Sequence, residues 1–262
     1  MAGTPAPGAA LEVRGLSKSF PTRGGTVVAL AEIDMVVAPG EFVTIIGPSG
    51  CGKSTLFNII AGLDQPDSGE IYLHGSASSR RIGEIAYMFQ KDLLFPWRTV
   101  VQNTTIGLEM EGISKKDARD KVAPLLERFG LAGFADAYPS QLSGGMRQRA
   151  AFLRTMVQDR TAMLLDEPFG ALDSFTRTEM QQWLLSVWEE FRTTILFITH
   201  DVAEAVFLSD RVYVMSRRPG RIATMLDIGL PRPRTLEVEV TDEFSELEHT
   251  LKRELHLGAA PA

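Results

Sequence analysis

The stretch GPSGCGKST starts at Gly47 and joins an apolar run, FVTIIG, to a segment of helical periodicity, STLFNIIAGL. It matches G-x-x-x-x-G-K-[ST] at Gly47, Gly52, Lys53 and Ser54, in the strand-to-helix setting that gives the pattern meaning. Residues of these types cradle a phosphate chain. Glycines reach unusual φ angles and let backbone N–H groups approach an anion without a Cβ in the way. The helix that follows turns its unpaired N–H groups and positive dipole end to the same anion. Lys53 supplies a point charge for β- and γ-phosphates, and the Ser54 hydroxyl is a hard oxygen ligand suited to Mg²⁺. Pro48, Ser49, Gly50, Cys51 and Thr55 complete the candidate phosphate site. The helix start and Lys53 are expected to favour the Cys51 thiolate.

Further along, MLLDEP places Asp166 and Glu167 at the end of an apolar strand. Two adjacent carboxylates there need partners or a task. Asp166 is expected to hold Mg²⁺, directly or through water, and Glu167 to polarise an attacking water as general base. Gln90 ends another strand, where its amide can reach the metal or the water; the same spacing also suits a plain polar strand end. His200 closes the strand TTILFITH and can bond a γ-phosphate oxygen, although on its own it reads as a structural hydrogen-bonder. LSGGMRQR pairs an N-cap, Ser143, with Gly144 and Gly145 in a first helical turn, where glycines propagate a helix poorly. They make sense if the backbone must touch something, and a bare helix start is a second anion site. One nucleotide rarely needs both sites from one fold, so a second protomer is attractive. Asp173, in GALD, reads first as a helix cap.

The elements that must position these groups read as follows. LEVRGLSKSF and VVALAEIDMVV are short antiparallel strands joined at Gly24-Gly25, with further strands at GEIYLHG and IGEIAYMFQ. From about 100 to 157 helical patterns dominate, and Pro124 falls inside one of them, as a new helix start rather than a kink. Strands TAMLLDE, TTILFITH and RVYVMS then alternate with helices, IATMLDIGL reads as a last strand, and FSELEHTLKREL as an amphipathic surface helix. The expected fold is α/β: a P-loop NTPase core with a mixed sheet, an N-terminal antiparallel β-subdomain and an inserted α-helical subdomain. Residues 1–10 read as a flexible tail, 11–234 as the ATPase domain with its helical part at about 91–158, and 235–262 as a C-terminal helical extension.

The 262 residues carry 27 Lys and Arg against 33 Asp and Glu, a net charge of -6, which argues against a dedicated nucleic-acid binder. An apolar share of 44% excludes a disordered chain, and the single cysteine excludes an internal disulfide. No window approaches the roughly 18 apolar residues of a membrane span, and MAGTPAPGAA lacks the basic and apolar regions of a signal peptide.

Taken in order, these motifs resemble the ATP-binding subunit of ATP-binding-cassette (ABC) transporters over about residues 11–230. The Walker A loop is at 47–54, the Q-loop at Gln90, the signature at 142–146, Walker B at 163–167, the D-loop at 171–173 and the H-loop at His200. The resemblance implies a head-to-tail dimer, most simply a homodimer, with each ATP sandwiched between one subunit's Walker A loop and the other's Ser143, Gly144 and Gly145, Asp173 lying at the same contact. It implies Mg²⁺ as cofactor and an aromatic against adenine, a position matched by Phe20, for which core packing is the alternative. LLFPWRTVVQN, the run Ser216-Arg217-Arg218-Pro219-Gly220-Arg221-Ile222 and LPRPR look like importers of the nitrate/sulfonate/taurine group. Such a subunit lies at the cytoplasmic face of the cell membrane as a peripheral protein. It works with transmembrane permease subunits, through an apolar groove at Leu93, Leu94, Phe95 and Trp97, and indirectly with an extracytoplasmic solute-binding protein. The alternative closest in chemistry is the ATPase of an exporter or lipid-transport system. A soluble DNA-repair or translation ATPase lacks its usual second cassette or coiled coil here, and a P-loop kinase or GTPase would leave LSGGM and His200 unexplained.

Overall fold

A computed structural model describes residues 6 and 8–258 of the chain. Strands β1 (Leu11–Thr22) and β2 (Gly25–Val37) form the expected hairpin, paired from Leu11 with Val37 to Thr22 with Gly25. Next come β3 (Phe42–Ile46), α1 (Lys53–Ile60), β4 (Ser68–Leu73), β5 (Ser76–Ala77) and β6 (Ile85–Met88). Helices α2 (Val100–Thr104), α3 (Ile106–Met110), α4 (Lys115–Arg128) and α5 (Gly144–Met156) follow. The chain then alternates through β7 (Ala162–Asp166), α6 (Ser174–Phe191), β8 (Ile195–Ile198), α7 (Val202–Leu208), β9 (Arg211–Met215) and β10 (Ile222–Asp227), and ends on α8 (Asp242–Gly258).

The strands sort into an antiparallel sheet, β2-β1-β4-β5, and a six-stranded sheet, β10-β9-β3-β8-β7-β6. In the larger sheet β9, β3, β8, β7 and β6 run parallel, and only β10 runs against its neighbour. Parallel strands deliver their C-terminal ends to one edge, where an open α/β sheet binds ligands. The segments after β3, β6, β7 and β8 therefore share that edge.

Because β3, β7 and β8 are buried on both faces, their sequences are apolar except for Thr44 and the terminal Asp166. Phe42, Ile46, Leu165, Phe197 and Val214 face the helical side, where Phe42 meets Trp188 edge-on at 5.8 Å. Val43, Ile45, Leu164, Leu196 and Ile198 face α1 and the antiparallel sheet, against Leu56, Phe57 and Ile60. Burial of each large side chain contributes roughly 1.5–3 kcal/mol.

Pro124 does not open a new helix. It sits inside α4, which is continuous from its Ser114 cap to Arg128. Pro124 and Asp120, whose carbonyl loses its partner, both lie on the exposed face, so water satisfies what the ring removes. The tail expected at 1–10 lies partly outside the described residues; within it Ala9 and Ala10 are buried. The last helix is more than a surface helix: Phe244 and Leu251 of α8 enter the main core. Before it, buried Arg234 donates to the carbonyls of Val206, Phe207, Ser209, Ile228 and Leu230, tying the end of α7 to the strand-end segment.

Candidate active site

The phosphate loop leaves β3 in the middle of the sheet and enters α1 at Lys53. Gly52 holds φ 112°, and a Cβ there would lie 2.7 Å from Leu30 Cδ2, so glycine is required twice over. Lys53 is buried to 8% exposure, and its Nζ donates to the carbonyls of Gly47 at 2.8 Å and Pro48 at 3.3 Å. This leaves its ammonium in the mouth of the loop. Cys51 is 1% exposed, and burial pushes its thiol up against the opposing pull of Lys53. The expected thiolate is therefore disfavoured: desolvation outweighs the nearby charge.

Asp166 ends β7, with burial pushing its carboxyl up while hydrogen bonds from the Ser54 and Tyr87 hydroxyls pull it down. The Tyr87 hydroxyl donates to Asp166 Oδ2 at 3.2 Å. Glu167 takes φ 44° while its N–H still bonds the Ile198 carbonyl at 3.0 Å. Left-handed backbone at a non-glycine residue costs on the order of 1 kcal/mol. Here it turns the carboxylate off the strand line, where Gln90 Nε2 donates to Glu167 Oε2 at 3.3 Å and His200 Nδ1 stands 3.4 Å from the same oxygen.

Lys53, Ser54, Gln90, Asp166, Glu167 and His200 thus line one open cleft of about 530 Å³, with Ser49, Gly50, Gly52 and Thr55 in its wall. Gly47, Pro48 and Cys51 shape the loop from behind. The cleft's donor set fits a divalent hard cation shared with a ligand's phosphates: the Ser54 hydroxyl and the Asp166 carboxylate line it together. Among the described residues no group of three or more His, Cys, Asp and Glu could hold a metal alone. Substrate oxygens must complete any coordination.

The other predicted residues lie elsewhere. Ser143 caps α5, accepting the Met146 N–H at 3.3 Å. A Cβ on Gly144 would come 3.2 Å from Leu172 Cδ2, and one on Gly145 would come 3.2 Å from Thr176 Cγ2. Both glycines thus also serve contacts within their own chain. Asp173 caps α6 by accepting the Thr176 N–H at 3.0 Å, which holds its carboxyl below the usual range. Ser143, Gly144, Gly145 and Asp173 are not among the cleft's lining residues, and neither is Phe20. Phe20 sits at 38% exposure on β1, with the Lys18 ammonium 5.2 Å from its ring centre.

Of the expected apolar groove, Leu93 and Trp97 are exposed, whereas Leu94 is buried in the core. The turn that presents Trp97 is pinned by Asn103. Its Oδ1 accepts the Phe95 N–H at 2.7 Å and its Nδ2 donates to the carbonyls of Phe95, Arg98 and Thr99. Arg154 of α5 donates to the carbonyls of Leu93 and Asp92, and Arg147 pairs with the Asp92 carboxylate. Sequence reasoning missed two site residues. Tyr87 carried the signal of lying next to the end of a strand adjacent to β7. Arg218, which also lines the cleft, stood in a run noted only for its resemblance.

A family model described as ABC transporter matches residues 30–170. The aliphatic sulfonates import ATP-binding protein SsuB of Bacillus cereus is 42% identical over 248 residues, covering 95% of this chain and 96% of that protein. The nitrate import ATP-binding protein NrtD of Synechocystis is 45% identical over 240 residues, covering 89% and 90%. Among solved structures, a dimeric bacterial ABC transporter cassette matches with a TM-score of 0.73 at 30% identity, covering 84% of this chain and all of that one. A post-hydrolysis state of a dimeric cassette bound to ADP and Pi matches with a TM-score of 0.73 at 29% identity, over 84% of this chain and 100% of that one.

Proposed function

Since the chain belongs to the ABC transporter family and is the ATP-hydrolysing subunit of an importer, we propose that two copies clasp two ATP molecules between them and drive a small oxyanion, of the sulfonate or nitrate kind, through a permease. One observation carries the paired arrangement. The cleft gathers Lys53, Ser54, Gln90, Asp166, Glu167 and His200, while the capped helix start at Ser143, Gly144 and Gly145 is left off it. A glycine-rich helix start that does not line its own chain's cleft suits the phosphates of a facing subunit. The relatives' names favour import over the exporter alternative.

In this mechanism the phosphate loop binds the triphosphate through its backbone N–H groups and Lys53. Mg²⁺, held by Ser54 and Asp166, would supply charge neutralisation at the β- and γ-oxygens. Glu167 takes a proton from the attacking water. Gln90 and His200, both on Glu167 Oε2, fix the direction of that carboxylate, and His200 also reaches toward the γ-phosphate. The partner's Ser143 helix start closes the site, and Asp173 lies at the same contact. Phe20 offers a flat face for adenine. Loss of the γ-phosphate removes the charge that bridges the subunits, and they part.

Leu93, Phe95 and Trp97 present apolar surface to a short helix of the permease. Among the described residues no helix is long and apolar enough to cross a membrane. In this reading the subunit meets the membrane through that partner, at its cytoplasmic face. A solute-binding protein outside the membrane acts on the permease and only indirectly on this subunit. The test is to purify the chain with the membrane protein it pulls down and to measure ATP hydrolysis with and without candidate solute receptors. Receptor-stimulated hydrolysis is expected with a sulfonate or nitrate receptor, and hydrolysis indifferent to every receptor would oppose the import reading.

A further inference from the structure

We propose that Arg218, on the turn between β9 and β10, is a phosphate-binding residue of the ATP site, holding the phosphate loop by its Gly50 carbonyl and offering its remaining donors to the nucleotide. The inference rests on the ATPase reading above and adds to it a residue outside the motifs that define the site.

Three observations converge. First, Arg218 lines the same cleft as Lys53 and the two carboxylates, and its Nη2 donates to the Gly50 carbonyl at 3.0 Å. Lys53 meanwhile takes the carbonyls of Gly47 and Pro48. Two cations thus occupy loop carbonyls that would otherwise repel phosphate oxygens. Second, the turn is fastened where it stands. The Gly220 N–H donates to Ala29 O and the Ala31 N–H to Gly220 O, each at 2.9 Å, and Arg221 pairs with Glu32 at 2.7 Å. A Cβ on Gly220 would fall 2.2 Å from the Cys51 carbonyl, so only glycine lets the turn lie this close to the loop. Third, the charges lining the cleft need it. The carboxyl groups of Asp166 and Glu167 line the cleft together with two basic side chains of the Lys/Arg kind, Lys53 and Arg218. The guanidinium fork is planar and always charged, and holding one carbonyl leaves further N–H groups for phosphate oxygens.

The experiment compares R218A, R218K and R218Q with the natural chain in ATP calorimetry and steady-state hydrolysis, and uses R217A, an exposed neighbour that loses the same charge, as control. R218A is expected to weaken ATP binding and raise KM about tenfold with kcat within about twofold, the pattern of lost uniform binding. Its ATP affinity should also depend less steeply on salt. R218K should recover most of the loss, and R217A should match the natural chain. Arg218 is exposed, so the nucleotide-free melting temperature should not move; if R218A melts early, R218Q, which keeps a donor for Gly50 but no charge, should still show the KM rise. A natural chain that binds ATP alongside R218A and R218Q of equal affinity overturns this inference alone. A natural chain that neither binds nor hydrolyses ATP overturns the ATPase reading and this inference with it.

Discussion

His200 Nδ1 lies 3.4 Å from Glu167 Oε2, the carboxylate oxygen that also accepts the Gln90 amide. Side chains delivered by β6, β7 and β8 therefore meet on one atom. Replacing Glu167 by Gln keeps the shape and removes the proposed base. E167Q should bind ATP normally and hydrolyse it about 10²- to 10⁴-fold more slowly in a phosphate-release assay. Near-natural turnover would rule Glu167 out as the base.

The proposed composite site predicts complementation. K53A and S143R chains should each be nearly inactive alone. Mixed, they should regain activity, because one of the two sites in the mixed dimer pairs an intact phosphate loop with an intact helix start. A mixture no more active than its parts would show that Ser143 does not serve a neighbouring chain.

Burial raises the Asp166 carboxyl, and the Tyr87 hydroxyl opposes that rise. The rate at subsaturating Mg²⁺, which reports the metal-free carboxyl, should therefore fall on acidification at a higher pH than an ordinary aspartate would give. Y87F removes a bond to the charged form, so its acid limb should move higher still. A pH–rate profile unchanged in Y87F would separate the tyrosine from Asp166 function.

Glu204 is almost fully buried, accepts the Gln181 amide at 2.9 Å and has its carboxyl pushed up by desolvation. With the folded value above the unfolded one, the folded state binds the extra proton. That contribution to stability is present below the ordinary glutamate range and is lost as pH rises through the raised value. E204Q should flatten this dependence in thermal melts of the nucleotide-free chain, and parallel melting curves would contradict it.

Cys51 should react slowly with maleimide at neutral pH, because its thiol is buried and raised. Labelling should accelerate at least tenfold on unfolding, a modest figure for a thiol freed from a packed site. Rapid stoichiometric labelling of the folded chain would mean that the loop opens.

Much of this was legible in the sequence because local chemistry is repetitive. The loop at 47–54 needs its glycines, a parallel strand buried on both faces is almost wholly apolar, and an acid pair closing such a strand invites a function. Three things were not legible. Desolvation of Cys51 depends on what packs behind the loop, which includes Met215, far away in sequence. The uninterrupted α4 depends on which helix face meets water at Pro124. The place of Arg218 depends on β9 lying beside β3, a pairing that no local pattern encodes.

The amide of Asn103 is fully committed to residues 95–99, and α5 grips residues 92 and 93 through Arg154. A push against the Trp97 indole thus has no soft loop to spend itself on. Helices α2 and α5 pack on each other, so the segment that presents Trp97 is fastened to the helix that starts at Ser143.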